Sequence, residues 1–275
     1  MAIDQMMASL NDWHARLLSH ADNGLDQSLP PLPSTAIQAQ FVGSALRPAF
    51  EEAYQFYVTF LNYADALAMP FDGVDAKFLD FGCGWGRFLR YAMCHFPQER
   101  LFATDIDPAI LAACIEARIP AQYALVEPTG RLPYPDNFFS HAMAYSVFTH
   151  LPEHVHLNWS AEITRVLKPG GVFCGTIETR KFLEFIATMP DPDACDNDWY
   201  RSLAYYKPQV PTLLQSYDAE QFVYLPTGGG GIRTADVYGE AVIPPRYIER
   251  HWHGVSLRAV LDESFWQTVF IVQKH

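Results

Sequence analysis

The stretch Phe78-Leu79-Asp80-Phe81-Gly82-Cys83-Gly84-Trp85-Gly86 decides how this chain is read. With Lys77 in front, its first half predicts a short apolar strand. Glycines at alternating positions then let the backbone turn sharply and approach a ligand closely. Phe88 to Phe96 follows with the apolar content of a helix. Two cofactor readings compete for such a strand–turn–helix unit. The nicotinamide fingerprint G-x-G-x-x-G, started at Gly82, requires glycine at position 87, and Arg87 stands there. An acid two residues ahead of the first glycine, Asp80, has no part in that fingerprint either.

Working outward, Leu101-Phe102-Ala103-Thr104 predicts a second strand and Pro108 to Ala117 a helix. A weaker strand falls around Ala121 to Val126, another at His141 to Ser146, a helix at Trp159 to Leu167, and a strand at Gly171 to Ile177. Strands alternating with helices predict a mostly parallel sheet covered on both faces. On the N-terminal side, Met6 to Ser19 reads as a helix, followed by the breaker Leu29-Pro30-Pro31-Leu32-Pro33-Ser34. From Leu46 an apolar stripe at three- and four-residue steps predicts an amphipathic helix ending near Met69-Pro70. Val255 to Leu261 and Trp266 to Val272, joined through Asp262-Glu263-Ser264, predict an antiparallel hairpin.

The glycine stretch resembles motif I of the class I (Rossmann-like) S-adenosylmethionine-dependent methyltransferases, D-x-G-x-G-x-G. Three further segments resemble that family in the same order. Ala103-Thr104-Asp105-Ile106-Asp107-Pro108 is similar to its G-v-D-i-s-P stretch. Leu132-Pro133-Tyr134-Pro135-Asp136-Asn137-Phe138-Phe139 is similar to its approach to strand four. Glu162-Ile163-Thr164-Arg165-Val166-Leu167-Lys168-Pro169-Gly170-Gly171 is similar to the helix end and turn before strand five.

The resemblance implies an α/β, doubly wound, mostly parallel sheet with a C-terminal antiparallel hairpin and S-adenosylmethionine as cofactor. Asp80 would hold the methionyl amino group, with Gly82, Cys83, Gly84, Gly86 and Arg87 around the turn; the plainer reading of Asp80 is a turn cap. Asp105, with Ile106 beside it, would accept the ribose hydroxyls, since a carboxylate has two acceptor oxygens. Asp107 is expected to cap the helix that Pro108 begins. The family's usual polar residue near the adenine falls at Pro128, so Val126 and the shifted Glu127 stand in for it, a solvent-facing Glu127 being the alternative. Tyr145, at the end of strand four, completes the expected cofactor set.

Methyl transfer needs a base only when the nucleophile must lose a proton, and open α/β sheets bind ligands at the carboxyl ends of their strands. Three residues are therefore catalytic candidates. His150 has a suitable unperturbed pKa and is otherwise a structural contact. Glu178 either orients an acceptor hydroxyl or pairs with Arg180. His251, beside His253, is otherwise a packing or surface residue. Neither histidine has metal-ligand spacing with nearby carboxylates, so no metal is expected. The segment from 180 to 244 is rich in Trp199, Tyr200, Tyr205, Tyr206, Tyr217, Phe222 and Tyr224, interleaved with Asp191, Asp193, Asp196 and Asp198. Such a mixture suits a polyhydroxylated acceptor, by stacking and hydroxyl-accepting carboxylates, or else forms an aromatic mini-core.

These readings divide the chain into an N-terminal helical segment (1–70), a cofactor-binding core (71–179), a cap insertion (180–244) and a closing helix and hairpin (245–275). The formal net charge of −12 disfavours nucleic acid and anionic membrane. A small-molecule acceptor, with oxygen as the methylated atom, is expected instead. No apolar run is long enough for a membrane helix, and the N-terminus carries no basic-then-apolar leader. The five scattered cysteines, with no C-x-x-C pair, read as reduced thiols of a cytoplasmic protein. The alternatives are a catalytically idle S-adenosylmethionine-binding protein and, disfavoured by Arg87, a nicotinamide oxidoreductase. Oligomeric state is not legible.

Overall fold

The computed structural model describes residues 3–24 and 26–275. The N-terminal part is helical: α1 (Ile3–Asn23), α2 (Thr35–Val42) and α3 (Leu46–Ala66). The alternating part follows as β1 (Phe78–Phe81), α4 (Leu89–Ala92), β2 (Leu101–Asp105), α5 (Pro108–Glu116), β3 (Gln122–Leu125), β4 (Phe139–Ala144), α6 (Glu153–Val166) and β5 (Leu167–Ile177). Then come α7 (Arg180–Thr188), α8 (Asp198–Ala204), α9 (Val210–Asp218), β6 (Val223–Leu225), β7 (Glu240–Val242), α10 (Pro245–His251), β8 (Val255–Leu261) and β9 (Thr268–Lys274).

Seven strands form one sheet in the order β3-β2-β1-β4-β5-β9-β8, and β6 pairs with β7 in a small second sheet. β1 runs parallel to β2 and β4, β2 runs parallel to β3, and β8 and β9 are antiparallel with a bulge between Leu257 and Ala259. This is the Rossmann-like arrangement with a closing hairpin that the motif order predicts. β1, β2 and β4 are buried along their whole length, as strands covered on both faces must be.

Chain contacts divide the molecule into two compact units, one of residues 1–127, 132–143 and 166–173, the other of 128–131, 144–165 and 174–275. In the first, α3 buries Phe50, Phe56, Tyr57 and Phe60. Phe71 lies edge-on to Tyr57, Phe60 and Phe78 at ring separations of 5.2 to 6.0 Å. Tyr134 of the Leu-Pro-Tyr-Pro segment packs edge-on against Phe102 and Phe139. In the second, Phe182, Leu183, Ile186, Leu203, Val210 and Val223 form an apolar cluster, with Tyr206 and Tyr217 packed against it. Those two tyrosines follow the mini-core reading, whereas Trp199, Tyr200 and Tyr205 are exposed.

Local differences from the expected elements have local causes. The breaker before residue 35 conceals α2, which Ser34 caps by accepting from the Ile37 N–H and Gly43 ends in a left-handed turn. The helix expected over Phe88 to Phe96 is regular only at Leu89–Ala92, because i to i−3 bonds tighten its continuation at Cys94 and His95. α6 begins at Glu153, directly after Pro152, and stops at Val166 before Pro169 is reached. Pro169 and Gly170 fall within the span of β5, Gly170 at φ 78°. β4 and β9 are displaced by about one pleat repeat from the predicted spans. Among the described residues no helix is long and apolar enough to cross a membrane, and all five cysteines are free.

Candidate functional site

In the first unit, β1 delivers Asp80 and β2 delivers Asp105 to the glycine turn. The Gly82 and Cys83 N–H groups both donate to the Thr104 carbonyl, at 2.9 and 3.0 Å, which ties the turn to the end of β2. Gly84 takes φ 51° and Gly86 φ 77°. A Cβ on Gly86 would lie 2.5 Å from Ile119 Cδ1, so the absence of a side chain there lets the turn pack against the α5 end. Phe41 of α2 lies 3.6 Å from the corresponding point on Gly84.

Asp105 spends one oxygen on the Gly84 N–H (2.9 Å) and the other on the Asp107 N–H (3.0 Å). Asp107 accepts from the Ala109 N–H at 3.0 Å and caps α5 as its place before Pro108 predicts. Asp80 is buried, and its Oδ2 has no hydrogen-bond partner. Burial, with Asp105 adding and Arg87 opposing, raises the Asp80 carboxyl to about 8. A buried carboxylate oxygen without a donor is costly, and an ammonium group of a ligand supplies the missing partner. The turn therefore fits the amino end of S-adenosylmethionine.

Arg87 donates to the Ala49 carbonyl (3.0 Å) and to Glu52 Oε2 (2.6 Å), which commits its side chain to α3. Ile106 is half-buried just beyond β2. The Val126 N–H donates to the Asp105 carbonyl at 3.1 Å, extending the β2–β3 pairing, and its side chain is buried. Glu127 is exposed, in keeping with the solvent-facing alternative. Neighbouring Cys114, then burial and the nearby Asp105 and Asp80 charges, push the Cys83 thiol well above its usual range, and both thiols donate to the Gly84 carbonyl.

In the second unit, β7 is laid along two carboxyl-end segments. Gly239 and Ala241 N–H groups donate to His150 and Thr149 carbonyls, and the Ile243 N–H donates to Glu178. Glu240 thereby sits beside His150, its Oε2 3.3 Å from Nδ1, while Nδ1 is also 2.9 Å from the Gly239 carbonyl. Two acceptors at Nδ1 set the tautomer: Nδ1 carries the proton and Nε2 the lone pair. Nε2 lies 3.3 Å from Ser146 Oγ, which accepts from Gln267 Nε2 at 2.9 Å. Tyr238 stacks on the imidazole at 4.5 Å.

Burial lowers the His150 pKa, but the Glu240 charge and the hydrogen bonds to Glu240 and Gly239 outweigh it, and the net shift is upward. Ser146 itself has φ 57°, a strained region for a side-chain-bearing residue. Its N–H bonds to Thr176 Oγ1 at 2.7 Å and helps hold that geometry.

Trp199 Nε1 donates to the other oxygen of Glu240 at 2.7 Å. Glu178, also buried, is not paired with Arg180, whose partners are Glu184 on α7 and Asp218 on α9; of the two readings of Glu178, the pairing with Arg180 is the one the geometry does not follow. His251 is exposed, stacks on Tyr247 at 3.9 Å and is 2.9 Å from its carbonyl through Nδ1. It is spent on the end of α10 and does not join His150 and Glu178. Tyr145 is half-buried one residue past β4. Glu240, Ser146 and Gln267 were not singled out by the sequence. Glu240 lies 90 positions from His150 in the chain, and no local pattern reports such a pairing.

Residues 79–175 match the family model described as a methyltransferase domain. In fold the chain is similar to an S-adenosylmethionine-dependent methyltransferase of Clostridium acetobutylicum ATCC 824. The two share 12% identity over 82% of this chain and 92% of that one, with a TM-score of 0.54. An S-adenosylmethionine-dependent methyltransferase of Mesorhizobium loti matches at 15% identity, 78% and 96% coverage and a TM-score of 0.48. A protein of Pyrococcus horikoshii OT3 matches at 15% identity, 80% and 91% coverage and a TM-score of 0.48.

Proposed function

We propose that this chain, a class I S-adenosylmethionine-dependent methyltransferase with its methyltransferase domain at residues 79–175, methylates a hydroxyl oxygen of a small polar acceptor, with His150 as the base. The carrying observation is the imidazole whose Nδ1 faces Gly239 and Glu240 and whose Nε2 is left as the acceptor. When bound, S-adenosylmethionine supplies an electrophilic methyl group on a sulfonium sulfur.

For that group, Asp80 would take the amino end, the Gly82–Gly86 turn would line the methionyl part, and Asp105 would accept from the ribose hydroxyls. Val126 packs near the adenine. With the cofactor bound, His150 Nε2 would take the proton that an acceptor hydroxyl loses on methylation. Glu240 holds the imidazole and favours the imidazolium that forms, and Ser146 and Gln267 fix the approach to Nε2. Alignment and proton removal are the protein's two contributions.

Neither a catalytically idle binder nor a nicotinamide enzyme is favoured. The test is release of S-adenosylhomocysteine across hydroxyl, amine and carboxylate acceptors. A hydroxyl compound should support turnover, and His150→Gln should lower kcat about 100-fold with little change in cofactor affinity. Turnover on amines alone, or an unaffected His150→Gln variant, rejects the proposal.

A further inference from the structure

Next to the acceptor-side residues, a cavity of about 290 Å³ is lined by Glu178, Lys181, Phe182, Phe185, Thr188 and Trp266, with Glu184 at its edge. Three aromatic side chains share its walls with polar ones. Phe185 meets Trp266 edge-on at 5.2 Å, and Phe182 lies tilted to Phe185 at 6.3 Å. Among the described residues no lysine or arginine lies over these three rings. Glu178 is 3% exposed, and no donor among the described residues bonds to its carboxylate. Lys181, the lining cation, has its Nζ on the carbonyls of Asp262 and Phe265 and 3.2 Å from Asp262 Oδ1, so it holds that loop.

We infer that this cavity is a cation subsite, taking an ammonium group attached to an apolar or aromatic body, with Glu178 as its counter-ion and Phe182, Phe185 and Trp266 as its aromatic wall. A buried carboxylate with no donor, lining one cavity with three aromatic side chains, attracts a cation by charge, and a ring face that the cation meets adds its quadrupole. Burial pushes the Glu178 carboxyl well above the usual range; Glu240 and Asp262 add to the rise and Lys181 opposes it. Lys181 is held on the Asp262 loop, and an entering ammonium would supply Glu178 with a direct positive partner. The overall charge of −12 draws cations toward the protein.

As a statement about the acceptor, this inference rests on the reading above; as a statement about binding, it is tested without methyl transfer. The full chain, saturated with S-adenosylhomocysteine, is titrated calorimetrically with 2-phenylethylamine and with 2-phenylethanol, which share the ring and differ in the charged group. The amine should bind at least about tenfold more tightly. In Glu178→Gln, whose melting temperature and S-adenosylhomocysteine affinity serve as folding controls, that preference should vanish. If Glu178→Gln does not fold, Trp266→Ala on the exposed rim should weaken both probes. Equal affinity for the two probes in the wild type, or no binding of the amine, overturns the inference. So does a preference that survives Glu178→Gln, or amine binding unchanged by Trp266→Ala. A wrong base assignment at His150 alters turnover and leaves these titrations as they are.

Discussion

Replacing Asp80 with asparagine should make the empty protein more stable at alkaline pH while weakening its hold on the cofactor. Asp80 is 1% exposed, with Oδ2 unpartnered, and its carboxyl is raised from 3.8 to about 8. A carboxyl raised in this way is protonated in the folded chain and ionised in the unfolded chain between those two values. The folded state then binds more protons than the unfolded state, so stability is greatest below pH 4 and is lost as pH rises toward 8. Holding the carboxyl near 8 instead of 3.8 corresponds to roughly 6 kcal/mol lost across that window.

An asparagine does not titrate, but its buried amide lacks some partners, at a cost of about 1–3 kcal/mol. The net expectation is a gain of about 3–5 kcal/mol for the empty variant at pH 8.5 and no gain, or a loss, at pH 5. Urea unfolding of both proteins at the two pH values, without ligand, measures the double difference and cancels groups common to both. Calorimetric titration should show S-adenosylhomocysteine bound roughly tenfold to a hundredfold more weakly by the variant, since the charged partner of the amino group is gone. A variant less stable than wild type at pH 8.5, or one with unchanged affinity, refutes the placement of Asp80 as a buried carboxylate awaiting a cation.

Three further outcomes are expected. Gly86→Ala, with a Cβ 2.5 Å from Ile119 Cδ1 at φ 77°, should cost about 2–3 kcal/mol in urea unfolding. Adding Ile119→Ala should make the pair markedly non-additive, and strict additivity would deny the contact. Asp105→Ala removes the acceptor of the Gly84 and Asp107 N–H groups; it should lower both folding stability and S-adenosylhomocysteine affinity by about 1–3 kcal/mol each. An affinity loss without any loss of stability would argue against those two bonds.

Because the base must be neutral and the His150 pKa is raised, the acid limb of kcat against pH should lie above 6.5, with activity rising as pH increases through it. Glu240→Gln removes the main raising influence, so that limb should move to lower pH while kcat at the plateau falls; a limb that stays in place contradicts the role given to Glu240.

The sheet was legible because its signals are local. The glycine turn after Phe81, the Asp107-Pro108 helix start and the Pro-Asn punctuation before Phe138 each fix one boundary through backbone chemistry alone. The gathering of Asp80, Gly84 and Asp105 was legible for the same reason, since β1 and β2 are neighbours and the glycine turn follows β1 directly. The cradle of Arg87 was not, since Ala49 and Glu52 reach it from a helix 35 residues and more away in the chain. Nor was the pairing of His150 with Glu240, which exists only because β7 is zipped along Thr149 and Glu178. Sequence alone left open whether Glu178 pairs with Arg180, two residues on; Arg180 instead meets Glu184 and Asp218, the latter on an element the local sequence does not report.

The most direct test of the whole account is calorimetric titration of the full-length chain with S-adenosylhomocysteine, with NADH as the comparison ligand. A single saturable site for S-adenosylhomocysteine, at micromolar affinity typical of a cofactor pocket (roughly −8 kcal/mol), and no heat with NADH, is the predicted result. Absence of S-adenosylhomocysteine binding at millimolar concentration in a folded sample, or saturable binding of NADH at the same turn, contradicts it.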